Sequence, residues 1–316
     1  MSVAPASPLP GLVPCALQQR VTVVAQERLA RDTFRLRLHS PELATRMVPG
    51  QFVMIRPSRS TDPLLGRPFA LYQVYADPHG HPGGIDVVYL VVGKMTSLMS
   101  TWQPGDEVEV WGPLGNGFPV ADCDRLLLVA GGIGNTPFPA VAREALGVTQ
   151  YGVRAEPPRG RAASLAPSHI TFCYGARSAE YLAGLDEWAS LGVSVQVATD
   201  DGSAGERGFV TQPVARWLAQ HAPLDGASAA PSSPPRERLR VYCCGPERMM
   251  QAVARLAEQH GVACWVSLET PMACGIGACF SCVAPVKTPD GDWDYRRTCV
   301  EGPIFPAQEL VWEPGH

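Results

Sequence analysis

Four cysteines near the C-terminal end of the chain have a spacing that suits iron. Cys274, Cys279 and Cys282 form the pattern C-x4-C-x2-C, and Cys299 follows. This is the ligand spacing of plant-type [2Fe–2S] proteins. The small residues between the first two cysteines allow a tight backbone whose N–H groups can point at sulfur. A structural zinc site is the alternative, but such sites more often use paired C-x2-C knuckles. We therefore predict a [2Fe–2S] cluster on these four side chains.

A second candidate for chemistry is the segment Arg67, Pro68, Phe69 and Ala70, which stands at the start of a strand-like stretch. An arginine in this position can hold a phosphate through two parallel hydrogen bonds. Pro68 restricts the approach to the strand. Taken by itself, however, the tetrapeptide is better explained by an ordinary solvated arginine ahead of a strand.

A third candidate is the stretch from Gly93 to Thr96, just before a short predicted helix that begins at Thr96. Free N–H groups at a helix N-terminus suit a pyrophosphate. Thr96 can cap the helix and donate its hydroxyl. An ordinary N-cap with no ligand is the simpler interpretation of this segment alone.

Two further segments follow strand-like runs and precede helix-like ones. They are Gly131-Gly132-Ile133-Gly134 and Cys244-Gly245-Pro246. Open α/β sheets bind dinucleotides at the carboxyl ends of their strands. Cys244 can then face a nicotinamide ring, and it is the predicted catalytic residue. The alternatives are a tight turn without a ligand and a buried cysteine that ends a strand.

The elements that must position these residues change type along the chain. Residues 20–120 contain short, often alternating runs of β-branched and aromatic residues, which predict a small antiparallel barrel. The predicted strands are Val21–Gln26, Thr33–Leu38, Gln51–Arg56, Phe69–Tyr75, Ile85–Val92 and Glu107–Trp111.

After Asp122, strand-like and helix-like segments alternate, which predicts a doubly wound parallel sheet covered on both faces. The predicted strands are Arg125–Ala130, Ile170–Gly175, Val193–Thr199 and Leu239–Cys244; the predicted helices are Pro137–Leu146, Ala179–Ser190, Gln212–Gln220 and Glu247–His260. The Pro- and Ala-rich stretches Gly152–Ser168 and Ala222–Arg238 are predicted to be surface loops. The predicted organisation is a leader at 1–19, a barrel at 20–120, an α/β domain at 121–266 and a small iron–sulfur domain at 267–316.

Composition narrows the class of protein. The 316 residues suffice for two or three domains, and a net charge of −4 gives no basic surface for nucleic acid. The longest apolar runs are too short to span a bilayer, and the N-terminus lacks the pattern of a signal peptide. We therefore expect a cytoplasmic protein without a membrane span. Most of the remaining cysteines stand in apolar stretches, where a small buried hydrophobic residue is the simplest interpretation; the six are Cys15, Cys123, Cys173, Cys243, Cys244 and Cys264.

Taken in order, these motifs resemble the ferredoxin–NADP reductase superfamily. The run from Ser267 to Cys282, with Cys299–Phe305, more closely resembles the electron transfer subunits of class 1B dihydroorotate dehydrogenases. So do the segments Gly112–Phe118, Asp201–Gly205 and Tyr242–Met249. The resemblance covers residues from about 20 to 306, apart from the two Pro- and Ala-rich inserts.

The resemblance implies FAD, one [2Fe–2S] cluster and NAD in a single subunit. It implies as partner an FMN-containing catalytic dihydroorotate dehydrogenase subunit, joined in a heterotetramer. Electrons would pass from dihydroorotate to the partner's FMN, then to the cluster, to FAD and to NAD⁺. FAD must stand between the cluster and NAD⁺, because nicotinamide exchanges a hydride, whereas a cluster carries single electrons.

The resemblance also assigns residues by position. For FAD they are Arg67, Pro68, Phe69 and Ala70, with Tyr89, Leu90, Val91 and Thr96 beside the isoalloxazine and pyrophosphate; for the nicotinamide side they are Gly131, Gly132, Gly134, Cys244, Gly245 and Pro246. Asp201 is expected nearer the adenosine. Two positions depart from the family pattern, since Ala70 replaces Ser or Thr and Met95 replaces Gly.

Other functions stay open at this point. The same fold serves as the diaphorase subunit of a sulfhydrogenase, a sulfite reductase or a ferredoxin–NADP transhydrogenase. A redox-sensing protein with a non-catalytic cluster is a further alternative, although the Gly-rich segments argue against it. The choice between NAD and NADP is also open, because Asp200 and Asp201 favour NAD while Arg177 can meet a 2′-phosphate.

Overall fold

The computed structural model describes residues 16–155, 157–160, 164–222 and 237–312. Residues 1–15 of the predicted leader, together with Cys15, and residues 223–236 of the second insert lie outside the described residues. Among the helices that are described, none combines the length and the apolar character needed to cross a membrane.

Six strands close into an antiparallel barrel, in the order β1-β2-β5-β4-β3-β6. Their bounds are β1 Leu17–Ala30, β2 Thr33–His39, β3 Phe52–Pro57, β4 Arg67–Ala76, β5 Pro82–Leu90 and β6 Glu107–Leu114. The predicted barrel is confirmed. β1 begins earlier than expected, inside the predicted leader, because Leu17 already pairs with Gly112 of β6.

Two short helices flank the barrel, α1 Pro41–Arg46 and α2 Lys94–Met99. The sequence predicted α2 but began it at Thr96. In the structure Gly93 is the N-cap, so Thr96 is the third helical residue.

The second part is a seven-stranded sheet in the order β10-β9-β8-β7-β11-β12-β15. Its elements are β7 Arg125–Gly131, α3 Phe138–Ala145, β8 Ile170–Ala176, α4 Leu185–Leu191, β9 Ser194–Thr199, β10 Glu206–Arg207, α5 Thr211–His221, β11 Leu239–Cys244, α6 Glu247–Gln259 and β12 Ala263–Ser267. These strands run parallel, which confirms the predicted doubly wound sheet. The predicted helix Ala179–Ser190 is wrong in its first half. A 3₁₀ turn at Ala179–Tyr181 is separated from α4 by Gly184, whose left-handed φ of 74° interrupts the helix.

The C-terminal part forms a hairpin of β13 Val283–Lys287 and β14 Trp293–Arg297, followed by β15 Ile304–Pro306. β15 pairs antiparallel with β12 and thereby becomes the edge of the nucleotide sheet. The iron–sulfur segment is therefore attached to the second domain through backbone hydrogen bonds.

The first insert is tied down by a buried ion pair. Arg159 donates to both carboxylate oxygens of Glu144 on α3, at 2.9 and 2.6 Å, and its Nη1 donates to the Phe118 carbonyl at 2.8 Å. The two side chains are only 12% and 10% exposed. The segment around Arg159, predicted as a surface loop, is thus anchored to α3 and to the end of the barrel.

Replacing Arg159 by Ala is expected to destabilise the protein by about 3–5 kcal/mol, because it leaves the Glu144 carboxylate buried without its partner. Chemical denaturation of the two proteins measures the difference. The double variant Arg159→Met, Glu144→Leu should recover much of the loss, because it removes both charges together. A single variant as stable as the wild type would contradict the anchoring role.

Candidate functional site

The start of β4 carries an exposed arginine, Arg67, whose guanidinium has no acidic partner among the described residues. Arg67 is exposed, and its Nη1 donates to the carbonyls of Leu65 and Gly66, both at 3.0 Å. No carboxylate among the described residues pairs with this guanidinium, and its Nε and Nη2 donate to none of them. The arginine is therefore available for an anionic ligand.

The residues after Arg67 alternate between the two faces of β4, as in any strand. Phe69 is 8% exposed and turns its ring into the barrel core, whereas Pro68 and Ala70 are half-buried on the outer face. Tyr72 continues this outer face and is buried against the nucleotide domain; a Cβ on Gly184 would lie 2.5 Å from its hydroxyl. The outer face of β4 therefore runs directly beneath the second domain.

Tyr89 does not lie where the resemblance suggested. Its side chain is 1% exposed, donates to Gln26 Oε1 at 3.0 Å and packs against the rings of Phe34 and Phe69. The Tyr89 ring therefore belongs to the barrel core and not to its outer face. Leu90 and Val91 are half-buried at the end of β5 and remain candidates.

Thr96 shapes the start of α2 from within. Its Oγ1 accepts hydrogen bonds from the N–H groups of Val92 and Gly93, at 2.9 and 3.1 Å. Met95, the departure from the family pattern, is 2% exposed in the barrel core and leaves the outer side clear. A Cβ on Gly93 would meet no atom within 4 Å. The open space at Gly93 and the guanidinium of Arg67, which has no carboxylate partner among the described residues, are features that an anionic ligand can use.

The Gly-rich segment and the Cys244 segment meet at the carboxyl ends of adjacent strands. Ala130 of β7 is the register partner of Cys244 of β11. The sheet order reverses between these strands, which is the position where doubly wound sheets bind nucleotides.

The glycines of these two segments have different roles. A Cβ on Gly134 would lie 2.3 Å from the Cys244 carbonyl oxygen, and one on Gly131 would lie 2.6 Å from the Met249 sulfur. These two glycines therefore permit close packing of the turns. Gly132, with a φ of 54°, borders open space and is the one that a ligand can approach.

Cys244 is half-buried beside these glycines. Burial raises the pKa of its thiol to about 12. The thiol is therefore neutral near pH 7, and it can pack against a nicotinamide ring but cannot supply a thiolate.

The four predicted cluster ligands lie on one loop and the turn that follows β14. Cys282 and Cys299 are buried at 1% and 0% exposure, Cys274 is half-buried and Cys279 is exposed. The thiols of Cys282 and Cys299 interact, as do those of Cys274 and Cys279. In the part of the chain that the structure describes, no three such side chains are gathered into a ready-made metal site.

The backbone of this loop nevertheless fits a cluster. Gly275, Gly277 and Phe280 have positive φ angles of 73°, 87° and 58°. Such angles turn backbone N–H groups towards the inside of a loop. The Ile276 N–H already donates to the Cys274 sulfur at 3.4 Å. The four free thiols and the wrapped backbone are the donor set that a [2Fe–2S] cluster requires.

The thiols differ in acidity. Hydrogen bonds from Ser281 lower the pKa of Cys279 to about 6, whereas burial raises the pKa of Cys299 to about 12. Cys279 is therefore mostly a thiolate at neutral pH.

The cluster loop is seated on the barrel, which the sequence did not indicate. The Trp111 Nε1–H donates to the Cys274 carbonyl at 2.9 Å, and the Gly115 N–H donates to the Cys299 carbonyl at 3.1 Å. Phe52, Met54 and Leu114 pack against Cys282 and Cys299. Since β3 pairs with β4, a single strand separates this loop from the Arg67 segment.

Replacing Gly134 by Ala is expected to raise the KM for NADH about tenfold or more, because the new methyl group would collide with the Cys244 carbonyl and part the two turns. Steady-state NADH–dye reductase assays measure this, with FAD content unchanged. Gly261→Ala is the control, because a Cβ there meets no atom within 4 Å; its φ of 65° is left-handed, unlike that of Gly134, so the backbone cost of the added methyl group is no smaller at Gly261. Equal KM values for the two variants would count against a nucleotide site at these turns.

Three family models match the chain in succession. Residues 20–118 match an oxidoreductase FAD-binding domain, 128–255 an oxidoreductase NAD-binding domain, and 269–311 the iron–sulfur cluster binding domain of dihydroorotate dehydrogenase B. FAD, NAD and an iron–sulfur cluster are therefore the cofactors of this oxidoreductase.

Curated relatives match almost end to end. A protein of Geobacillus kaustophilus is 35% identical over 298 residues, covering 93% of this chain and 98% of the relative. One of Desulforamulus reducens is 31% identical over 293 residues, covering 92% and 97%. Both are named dihydroorotate dehydrogenase B (NAD(+)), electron transfer subunit.

Solved structures support the same architecture. An NADH-dependent reduced ferredoxin-NADP oxidoreductase superposes with a TM-score of 0.71 at 28% identity, covering 92% of this chain and 90% of that one. A ferredoxin reductase of carbazole 1,9a-dioxygenase shares the fold, with a TM-score of 0.58 at 21% identity over 79% of this chain and 67% of that one. With relatives this similar over nearly their full length, the chain belongs to the family of dihydroorotate dehydrogenase B electron transfer subunits.

Proposed function

We propose that this chain carries electrons between a catalytic dihydroorotate dehydrogenase subunit and NAD⁺, as part of pyrimidine biosynthesis. One observation carries the proposal. The cluster loop is seated on β3 and β6, beside the strand that bears Arg67 and leads beneath the nucleotide domain. With the cluster, FAD and NAD⁺ at the proposed residues, the three sites would adjoin one another in the order that electron transfer needs.

The groups that the chain binds supply the redox chemistry: a flavin exchanges a hydride with nicotinamide and single electrons with an iron–sulfur cluster. The protein supplies position and surroundings. Arg67 and the space at Gly93 are proposed to hold the FAD phosphates. Pro68 and Ala70 are proposed to line its ring on the outer face of β4. Ala70 has no hydroxyl, so any polar contact there must come from backbone.

On the nucleotide side, Gly132 and the Cys244 turn are proposed to receive the nicotinamide half of NAD⁺. The neutral Cys244 thiol offers a packing surface without a charge. Asp200 and Asp201 follow β9 and are exposed, and Asp201 is proposed to lie nearer the adenosine half. A negative charge there disfavours a 2′-phosphate, which supports NAD⁺ over NADP⁺.

On the cluster side, Cys274, Cys279, Cys282 and Cys299 are proposed as ligands. The loop has an inner side, with Cys282 and Cys299 against the barrel, and an outer side, with Cys279 exposed and Phe280 63% exposed. We propose that the outer side faces the FMN-containing catalytic subunit in a heterotetramer.

Co-purification tests this proposal. A tagged form of the chain, expressed at native level in its own cells, should recover an FMN-containing dihydroorotate dehydrogenase subunit in equal amount. That complex should reduce NAD⁺ with dihydroorotate. Recovery of a hydrogenase or sulfite reductase subunit would overturn the assignment. A flavin- and cluster-loaded chain without NADH–dye reductase activity would favour a redox sensor instead.

A further inference from the structure

Trp111 touches both the cluster loop, which begins at Cys274, and the start of β4, the strand that bears Arg67. It lies near the end of β6, where it is the register partner of Met54 on β3. Its indole N–H donates to the carbonyl oxygen of Cys274 at 2.9 Å. On the other side of the ring, a Cβ built on Gly66 would lie 2.5 Å from Cη2. One half-buried side chain therefore spans from the first predicted ligand to the residue before Arg67.

The hydrogen bond determines how the peptide after Cys274 is oriented. A trans peptide is planar, so fixing its carbonyl also fixes the opposite direction of its N–H. That N–H belongs to Gly275, which has a φ of 73° and is pressed against the barrel; a Cβ there would lie 2.7 Å from Met54 Cγ. Trp111 thus holds the peptide plane on which the loop turns.

The contact with Gly66 explains why a glycine stands there. Gly66 is buried and its φ is not left-handed, so its backbone conformation alone does not require glycine. What requires it is the edge of the Trp111 ring. The position of the Trp111 ring therefore limits where the start of β4 can lie, and the start of β4 limits where the ring can lie.

We propose that Trp111 is a positioning residue that orients the Cys274 peptide and couples the cluster loop to β4, the strand proposed to bind FAD. This rests on the proposed ligand role of Cys274. The hydrogen bond directs the positive end of the indole N–H dipole at a ligand residue, which favours the more negative, reduced cluster. Hydrogen bonds and exposure around the sulfurs set cluster potentials.

Trp111→Phe tests the proposal because it keeps an aromatic ring and removes the N–H donor. In the complete chain loaded with FAD and cluster, an anaerobic redox titration followed by electron paramagnetic resonance is the measurement. At a fixed solution potential, the ratio of reduced to oxidised cluster should fall about threefold. This is roughly 28 mV at 59 mV per tenfold change for one electron. The g-values of the reduced cluster should also shift, with FAD content unchanged.

Gly66→Ala tests the other contact. The added methyl group must displace the ring, so this variant should lower the cluster potential and also loosen FAD. Trp102→Phe is the matched control, because Trp102 is a buried barrel residue that belongs to the core cluster of the barrel and not to the group around Cys282 and Cys299. It should alter neither quantity.

The outcomes separate this inference from the proposed function. A wild-type chain that binds no cluster after reconstitution would remove the basis of both. A wild-type chain with a normal cluster, together with Trp111→Phe of identical potential and g-values, would overturn the positioning role alone. Loss of the cluster in Trp111→Phe, with retention in Trp102→Phe, would support it.

Discussion

Replacing Cys279 by serine is expected to abolish the visible absorbance of the iron–sulfur cluster while FAD stays bound in full. Cys279 is exposed and belongs to no hydrophobic core, so its loss removes a proposed ligand without disturbing packing. Its pKa is lowered to about 6, so its sulfur is mostly a thiolate at neutral pH, whereas a serine hydroxyl does not ionise there. Absorbance spectra and iron analysis after anaerobic reconstitution measure the effect.

Cys123→Ala is the matched control for this prediction. Cys123 is buried away from the loop, and burial raises the pKa of its thiol to about 11, so it is a protonated packing residue. That variant should keep both the cluster and FAD. A complete [2Fe–2S] spectrum in Cys279→Ser would show that the ligand set is wrong.

Replacing Arg67 by alanine is expected to weaken FAD binding about 10- to 150-fold, because a hydrogen bond to a charged group contributes roughly 1.5–3 kcal/mol. The contacts of this arginine suit the proposed role. Its Nη1 is held by two backbone carbonyls, and no carboxylate among the described residues competes for its remaining donors. Flavin per chain after gel filtration, and fluorescence titration with FAD, measure the loss.

Two related variants sharpen that experiment. Arg67→Lys should recover only part of the affinity, because an ammonium cannot form the paired hydrogen bonds of a guanidinium. Arg59→Ala is the control. It also removes a positive charge from the β3–β4 connection, but that charge is already paired with Glu107. Unchanged flavin content in Arg67→Ala would count against phosphate binding at this end of β4.

Several features could be predicted from local sequence because local forces determine them. The alternation in Thr33–Leu38 placed one face of β2 in the barrel, and Leu36 and Leu38 are indeed fully buried. The continuous apolar run of Arg125–Ala130 indicated a strand covered on both faces, as β7 is. The cysteine spacing and its small residues predicted a wrapped loop, and positive φ angles are found at Gly275 and Gly277.

Other features depended on distant parts of the chain. Tyr89 was assigned to the flavin by resemblance, but the packing of Phe34 and Phe69 and the amide of Gln26 place its ring in the core. The insert around Arg159 has a loop-like composition, yet a carboxylate on α3 anchors it. The composition of a segment describes only what that segment can do alone. The groups that position Tyr89 and Arg159 lie in other elements of the chain.

The cysteine spacing by itself determined the chemistry of the C-terminal loop, because metal preference depends on the identity and order of a few neighbouring side chains. The tertiary structure alone decided where that chemistry is placed. β15 returns to pair with β12, and Trp111 binds the Cys274 carbonyl from a strand far earlier in the chain. Such contacts arise only when the barrel and the nucleotide sheet have formed. The sequence of one element does not show which distant backbone group or indole it will contact.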